Sequence, residues 1–168
     1  GRAAAGAAGA RPAAGAVGTS SAALQVAYHQ LEVPTKKGIH LFDITPQVQA
    51  LLEDSGLQEG YVNVASRHTT TALTINEHEE RLMDDVRQYL LKLAPPDYPY
   101  LHNDIHLRDC PQDEPENCHS HLLAMLLGQT ETIPFTQGQL ALGTWQSLLL
   151  VELDGPRDRT VAVQLVGQ

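Results

Sequence analysis

TWQSLLLVELDGPRDRTVAVQLV, residues 144–166, holds two apolar segments of strand length on either side of a short turn, residues 154–157 (DGPR). The uninterrupted apolar run at 148–151 has the length of a buried strand. LQVAYHQLEVP (24–34) and GIHLFDIT (38–45), which are separated by a short turn, repeat this arrangement near the start of the chain. We therefore predict a hairpin at each end of the folded region.

The segments between these hairpins alternate between helical and strand patterns. They are predicted as a helix at 45–56, a strand at 60–66, a helix at 78–95, a helix at 119–128 and a strand at 131–136. Together they indicate an α+β fold, with a mainly antiparallel sheet of about six to eight strands packed with three helices. The intervening segment 95–117 is rich in Pro and Asp, and its length means that it is either disordered or functional.

The first 23 residues differ in composition from the rest of the 168-residue chain. Residues 1–23 are almost all Ala, Gly, Pro and Ser, so they cannot fill a core. We predict a disordered leader followed by one domain over 24–168. The leader is compatible with the remnant of a plastid or mitochondrial transit peptide, and a compositionally biased extension explains it equally well.

Charge and hydropathy exclude two classes of partner. The net charge of -9 argues against nucleic acid, whose binding relies on clustered Lys and Arg. No apolar run approaches the roughly 20 residues that a bilayer-spanning helix needs. We expect a soluble protein of the cytoplasm or an organelle, with Cys110 and Cys118 as free thiols and one loop disulfide between them as the alternative.

The stretch RHTTTALTINE, residues 67–77, is predicted to be a strand that leads into a helix. Threonines suit a strand, Asn76 is a good N-cap, and Glu77 lies where the helix dipole favours a negative charge. This interpretation gives His68 no structural role. The residue therefore becomes a candidate for a functional site.

Histidine is unusually frequent, with eight in the chain. His121 opens a helix, where a cationic imidazole is disfavoured, so it should be neutral and able to bind a metal. His68, His102 and His121 come from three separate elements, a pattern that suits an open zinc-type site. Scattered loop histidines are the alternative, because no local metal motif fixes the spacing.

Two further pairs of residues each allow two structural interpretations. Trp145 and Gln146 are adjacent in a predicted strand, so one of them should point into the core, and we expect Trp145 to do so. Arg157 and Arg159 are either an exposed turn or an anion site, in which two guanidinium groups bind a phosphate.

Five blocks of this sequence, in order, resemble the YjbQ-like secondary thiamine-phosphate synthase family. The blocks are HTTTALTINE, YLHND, SHLLAMLLG, GQLALGTWQSLLLVELDGPRDR and VAVQL, and they cover most of residues 24–168. The resemblance implies a compact α+β domain that assembles as a homotrimer.

The resemblance also implies a set of site residues. The metal-binding histidines would be His68, His102 and His121, and the metal would be a divalent ion, with zinc expected and magnesium or manganese as alternatives. Glu77 and Asp85 would be catalytic, although Asp85 equally suits a solvated helix face. The substrate-binding residues would be Asn76, Asn117, Gln146, Arg157 and Arg159.

The activity that the resemblance implies joins a hydroxymethylpyrimidine pyrophosphate to a thiazole phosphate and releases pyrophosphate. The partner would thus be a phosphate-bearing small molecule. A different metal-assisted hydrolase or transferase is one alternative, since the family name describes the activity as secondary. A non-catalytic trimer that binds a metal or a ligand is the other.

Overall fold

The computed structural model describes residues 22–168, which form one α+β domain. The elements are β1 (Gln25–Pro34), β2 (Gly38–Asp43), α1 (Thr45–Ser55), β3 (Gly60–Ser66), β4 (Thr71–Asn76), α2 (Glu80–Leu93), two 3-10 turns (Leu101–Asn103 and Ile105–Leu107), α3 (Cys118–Leu127), β5 (Thr130–Thr136), β6 (Gln139–Leu140), β7 (Ser147–Gly155) and β8 (Asp158–Gly167). The predicted fold class is confirmed. The predicted leader lies outside the described residues, apart from positions 22 and 23. None of the helices in the described part has the length and apolar character needed to cross a membrane.

The strands form two sheets, and both predicted terminal hairpins are wrong. One sheet has the order β1-β8-β3-β5-β6 and the other has the order β2-β7-β4, with every pair antiparallel. Thus β1 pairs with β8 rather than with β2, and β7 pairs with β2 and β4 rather than with β8. The two turns that were expected to close hairpins instead carry the chain from one sheet to the other.

The two turns lie against each other at one corner of the fold. The backbone N–H of Thr35 donates to the carbonyl of Arg157 across a distance of 2.9 Å. A Cβ atom at Gly155 would lie 2.2 Å from the carbonyl oxygen of Lys36, so only glycine allows this close approach. The corner therefore holds together the first two and the last two strands.

The apolar run of β7 explains the two-sheet arrangement. Leu148 and Leu150 pack in the core between the sheets, whereas Val151 and Leu153 pack in a second core that includes Leu90 of α2 and also residues of α3. A strand buried on both faces needs cover on both sides. Accordingly β7 occupies the centre of its sheet, with β8 in the facing sheet on one side and helices on the other.

Two local predictions near the start of β7 are also wrong. Glu79 rather than Asn76 caps α2, because the Glu79 carboxylate accepts hydrogen bonds from the N–H groups of Arg81 and Leu82 at 2.9 and 2.7 Å. Trp145 does not enter the core, and 73% of its surface is exposed. It lies in a turn before β7 that is closed by the Gln146 side chain, which accepts from the N–H of Gly143 at 2.8 Å.

Candidate functional site

A cleft of ≈ 680 Å³ lies beside the corner where the two sheets meet. Its walls come from the β3–β4 turn, the start of α3 and the β7–β8 corner. The lining residues are those at 67–70 and 157–159, together with Glu114, Asn117, His121 and Asp154. Three distant parts of the sequence thus meet at one concave surface, which is the usual setting of a ligand site.

A buried ion pair, of which only the arginine lines the cleft, joins the two sheets. Glu152 on β7 is 0% exposed and Arg159 on β8 is 2% exposed. The Glu152 carboxylate accepts from Nε and Nη2 of Arg159 at 2.6 and 2.5 Å, and from the Thr35 hydroxyl at 2.6 Å. Burial by itself would raise the pKa of Glu152, but the hydrogen bonds from Arg159, Thr35 and the N–H of Asp154 outweigh it and lower the pKa. Arg159 is therefore held in place as part of a charged pair.

A second polar group surrounds Asp154 at the corner. The Asp154 carboxylate accepts from Nδ2 of Asn117 at 2.7 Å and from Nη2 of Arg157 at 3.0 Å. Nη1 of Arg157 has no hydrogen bond to any described residue. Asn117 is 5% exposed, and its Oδ1 atom has no hydrogen-bond partner in residues 22–168.

The three predicted histidines are near one another but are not equivalent. His68 follows β3, and its Nε2 accepts the backbone N–H of Thr160 at 2.8 Å, which places the imidazole proton on Nδ1. The rings of His102 and His121 lie edge to face, with centroids 4.8 Å apart. The segment 95–117 is therefore built into the site through the 3-10 turn that carries His102.

Two of these histidines resist protonation. Burial lowers the pKa of His68, and the positive charge of Arg159 adds to the effect. Burial also lowers the pKa of His121, with a further contribution from His102. Both rings are consequently neutral at pH 7.

The described residues do not hold a ready-made triad of metal ligands. Between positions 22 and 168, no group of three or more His, Cys, Asp or Glu side chains is arranged to hold a metal ion. His102 and His121 form a close pair, whereas Nε2 of His68 already accepts a backbone N–H. The unprotonated nitrogen of His68 is therefore used by the fold, which leaves the neighbouring rings of His102 and His121 as the candidate metal donors.

Four predicted site residues lie away from the cleft. Asn76 ends β4 beside Ser147, and Glu77 and Gln146 lie at this same end of the sheet. The length of β4 separates this end from the cleft by about 17 Å, at roughly 3.3 Å per residue. Asp85 is exposed on α2. Within one chain, none of these side chains lines the cleft.

Several residues in and beneath the cleft were not singled out from the sequence. Arg67 is exposed in the wall, with no ion pair to a described residue, and the hydroxyl of Thr70 accepts from Nη2 of Arg159 at 3.0 Å. Glu152, which lies beneath the cleft and does not line it, was not singled out either, although an acid within an apolar run that must be buried calls for a charged or hydrogen-bonding partner. That acid was the available signal for the Glu152–Arg159 pair.

Comparison with known proteins places this architecture in a family. A family model described as UPF0047 protein YjbQ-like matches residues 29–168. A UPF0047 protein of Methanothermobacter thermautotrophicus is 41% identical over 145 residues, which are 86% of this chain and 95% of that protein. The UPF0047 protein YugU of Bacillus subtilis is 32% identical over 138 residues, or 82% of this chain and 97% of that protein. The crystal structure of a YbjQ-like protein from Sulfolobus solfataricus matches with a TM-score of 0.78 at 35% identity, covering 87% of this chain and 100% of that one. The chain therefore belongs to the YjbQ-like UPF0047 family.

Proposed function

We propose that the cleft binds a phosphate-bearing small molecule. The observation that carries this proposal is the convergence of Arg67, Arg157 and Arg159 on one concave surface. Arg67 makes no ion pair with a described residue, and one terminal nitrogen of Arg157, Nη1, makes no hydrogen bond within residues 22–168. Guanidinium groups bind phosphate oxygens through paired, charge-assisted hydrogen bonds.

Direct hydrogen bonds, rather than a strong positive field, would hold the anion. Glu114, Asp154 and Asp158 also line the cleft, and Glu152 pairs with Arg159 beneath it, so the arginines create no net positive charge there. Affinity should depend on the few guanidinium nitrogens that remain available. It should also fall only modestly with added salt, because the net field is small.

The reaction proposed for this site is the thiamine-phosphate synthase type of transfer. The thiazole nitrogen forms a bond to the methylene carbon of the pyrimidine, while the bond from this carbon to the pyrophosphate oxygen breaks. Pyrophosphate leaves with the bonding electrons. Arg67 and Arg157 would bind the departing pyrophosphate, since donors placed where negative charge develops lower the barrier.

Calorimetric titration with inorganic pyrophosphate tests the binding step. Arg67→Gln should weaken the affinity about tenfold or more, since a hydrogen bond to a charged group contributes about 1.5–3 kcal/mol. Arg81→Gln is the matched control, because Arg81 is also exposed but lies on α2 outside the cleft. Equal affinities in the parent and in Arg67→Gln would remove Arg67 from the site.

Incubation of the protein with the pyrimidine pyrophosphate and the thiazole phosphate tests the reaction. Thiamine phosphate and pyrophosphate should appear in equal amounts, and Arg67→Gln should slow their formation. Pyrophosphate binding without any product would favour the alternative, a non-catalytic ligand-binding protein. Hydrolysis of the pyrophosphate ester without transfer would indicate a hydrolase.

A divalent metal, with zinc expected and magnesium or manganese as alternatives, is a separate proposal. His102 and His121 would contribute to holding it, and it would supply positive charge beside the substrate phosphates. Elemental analysis after growth with each metal provides the test. His121→Ala should lose bound metal, whereas His68→Ala should retain it because of the Thr160 contact. Equal metal content in all three proteins, or none in the parent, would remove the metal from the proposal.

The homotrimer is also a proposal, and it offers a role for Glu77 and Asp85. In a closed ring, a contact between unlike surfaces sets one end of a subunit against a different end of its neighbour. The Glu77 end of one subunit could then complete the cleft of the next. If so, a mixture of Arg67→Gln and Glu77→Gln subunits should regain activity that each lacks alone. Failure to regain activity in a mixture of confirmed hetero-oligomers would exclude a shared site.

A further inference from the structure

A smaller apolar pocket adjoins the cleft. It has a volume of ≈ 320 Å³ and is lined by Thr69, His121, Ala124, Met125 and Gln129. Thr69 and His121 also line the cleft, so the two cavities share a border at these two side chains. A ligand bound at the arginines could therefore extend past the His121 ring into the pocket.

The pocket offers almost no polar group to a ligand. Ala124 and Met125 present carbon and sulfur atoms, and Nε2 of Gln129 is already engaged by the carbonyl oxygen of Thr71 at 2.7 Å. A polar ring nitrogen or amino group would lose its water against these apolar atoms, and few hydrogen bonds would replace those to water. An apolar group has no hydrogen bonds to water to give up, so its transfer from water into the pocket is favourable.

The size of the pocket limits the group that it can take. An enclosed apolar cavity of about 150 Å³ accommodates a benzene molecule. A half-open pocket of ≈ 320 Å³ can therefore hold one ring or a short branched chain. Met125, with 79% of its surface exposed, forms an adaptable part of the wall.

We propose that the cleft and this pocket form one two-part site, which binds the phosphate or pyrophosphate ester of a small apolar alcohol. The phosphate end lies among the arginines and the apolar end lies against Ala124 and Met125. The proposal rests on the proposed phosphate site. It goes further in specifying the organic half of the ligand, and an apolar half differs from the polar pyrimidine of the thiamine-phosphate reaction. The thiamine activity would then use only part of the site.

Three ligands that differ only in their organic group test the inference by calorimetry. They are methyl phosphate, benzyl phosphate and pyrimidin-5-ylmethyl phosphate, which has the shape of the benzyl ester but two ring nitrogens. Benzyl phosphate should bind about tenfold or more tightly than methyl phosphate, because its ring leaves water for an apolar pocket. The pyrimidine ester should gain clearly less.

Two matched variants test whether the preference for benzyl phosphate arises in the apolar pocket. Met125→Gln places an amide in the wall at similar side-chain length, so it should remove the larger part of the benzyl preference and leave methyl phosphate affinity unchanged. Leu126→Gln is the control, since Leu126 is the next residue of α3 and is also exposed, but it does not line this pocket.

Each outcome has a separate meaning. Equal affinity for benzyl and methyl phosphate, or for benzyl phosphate and its pyrimidine analogue, would overturn the apolar pocket while leaving the phosphate site intact. A benzyl preference that survives Met125→Gln would also overturn it. If no ester binds, the proposed function fails, and this inference fails with it.

Discussion

Replacement of Glu152 by glutamine should destabilise the protein more than most single substitutions. Glu152 is completely buried, and it accepts hydrogen bonds from Thr35, from the N–H of Asp154 and twice from Arg159. Glutamine has nearly the same shape but no charge. The variant would leave the Arg159 guanidinium, itself 2% exposed, without a counter-charge.

The expected loss of stability can be worked out from the unpaired Arg159 cation. Removing one partner of a buried ion pair costs about 3–5 kcal/mol. In a domain of this size, each kcal/mol lowers the melting temperature by about 2–4 °C, so a decrease of roughly 10 °C is expected. Urea denaturation followed by circular dichroism measures the free energy of unfolding directly.

Two further variants separate the effect of charge from other effects. Asp84→Asn removes a carboxylate from the Asp84–Arg87 pair, whose side chains are 67% and 30% exposed, and should change the free energy of unfolding by no more than about 1 kcal/mol. Glu152→Met combined with Arg159→Met removes both buried charges and should recover much of the lost stability. If the double variant is as unstable as Glu152→Gln, or if Glu152→Gln is as stable as the parent, the unpaired-charge explanation is wrong.

Two other predictions concern pH and helix capping. Burial lowers the pKa of His68, of His121 and of His119, which lies in the first turn of α3, below the ordinary value of 6.5. The unfolded chain therefore takes up protons first, and the free energy of unfolding should fall as the pH drops below 6.5. Denaturation curves at pH 7.5 and 5.5 that coincide would contradict this. Glu79→Ala removes the cap of α2 and should lower the melting temperature more than Asn76→Ala does. The Glu79 carboxylate accepts hydrogen bonds from two N–H groups of the first turn, whereas the Asn76 side chain accepts none from them. The reverse order of melting temperatures in a thermal scan would restore Asn76 as the cap.

Local pattern was sufficient to predict the elements, because the patterns reflect short-range physics. The apolar spacing of α2 and its end before Pro95 are local properties, and so is the end of α1 at Gly56, whose φ of 72° suits glycine. The same holds for most strand positions. The alternation of such elements was enough to predict α+β with three helices.

The pairing between the strands depends on long-range packing and could not be predicted from local pattern. A turn such as DGPR permits a hairpin, and it equally permits a corner between two sheets, because Asp, Gly and Pro favour a bend without specifying which strands pair. The choice depends on β7, which is apolar on both faces and so takes β2 and β4 as neighbours while β8 faces it across the core. That requirement involves residues more than 70 positions apart, such as Leu73 and Leu150, and cannot be read from the turn.

The candidate site divides in the same way. The residue types available to the site were evident from the chain: histidines at 68, 102 and 121, and arginines at 157 and 159. Which of them meet depends on the folded chain, which brings the β3–β4 turn, the 95–117 segment and the β7–β8 corner together and leaves Glu77 at the other end of the sheet. A side chain's chemistry belongs to the residue, whereas its neighbours, and with them its charge and its freedom to bind, are set by long-range burial.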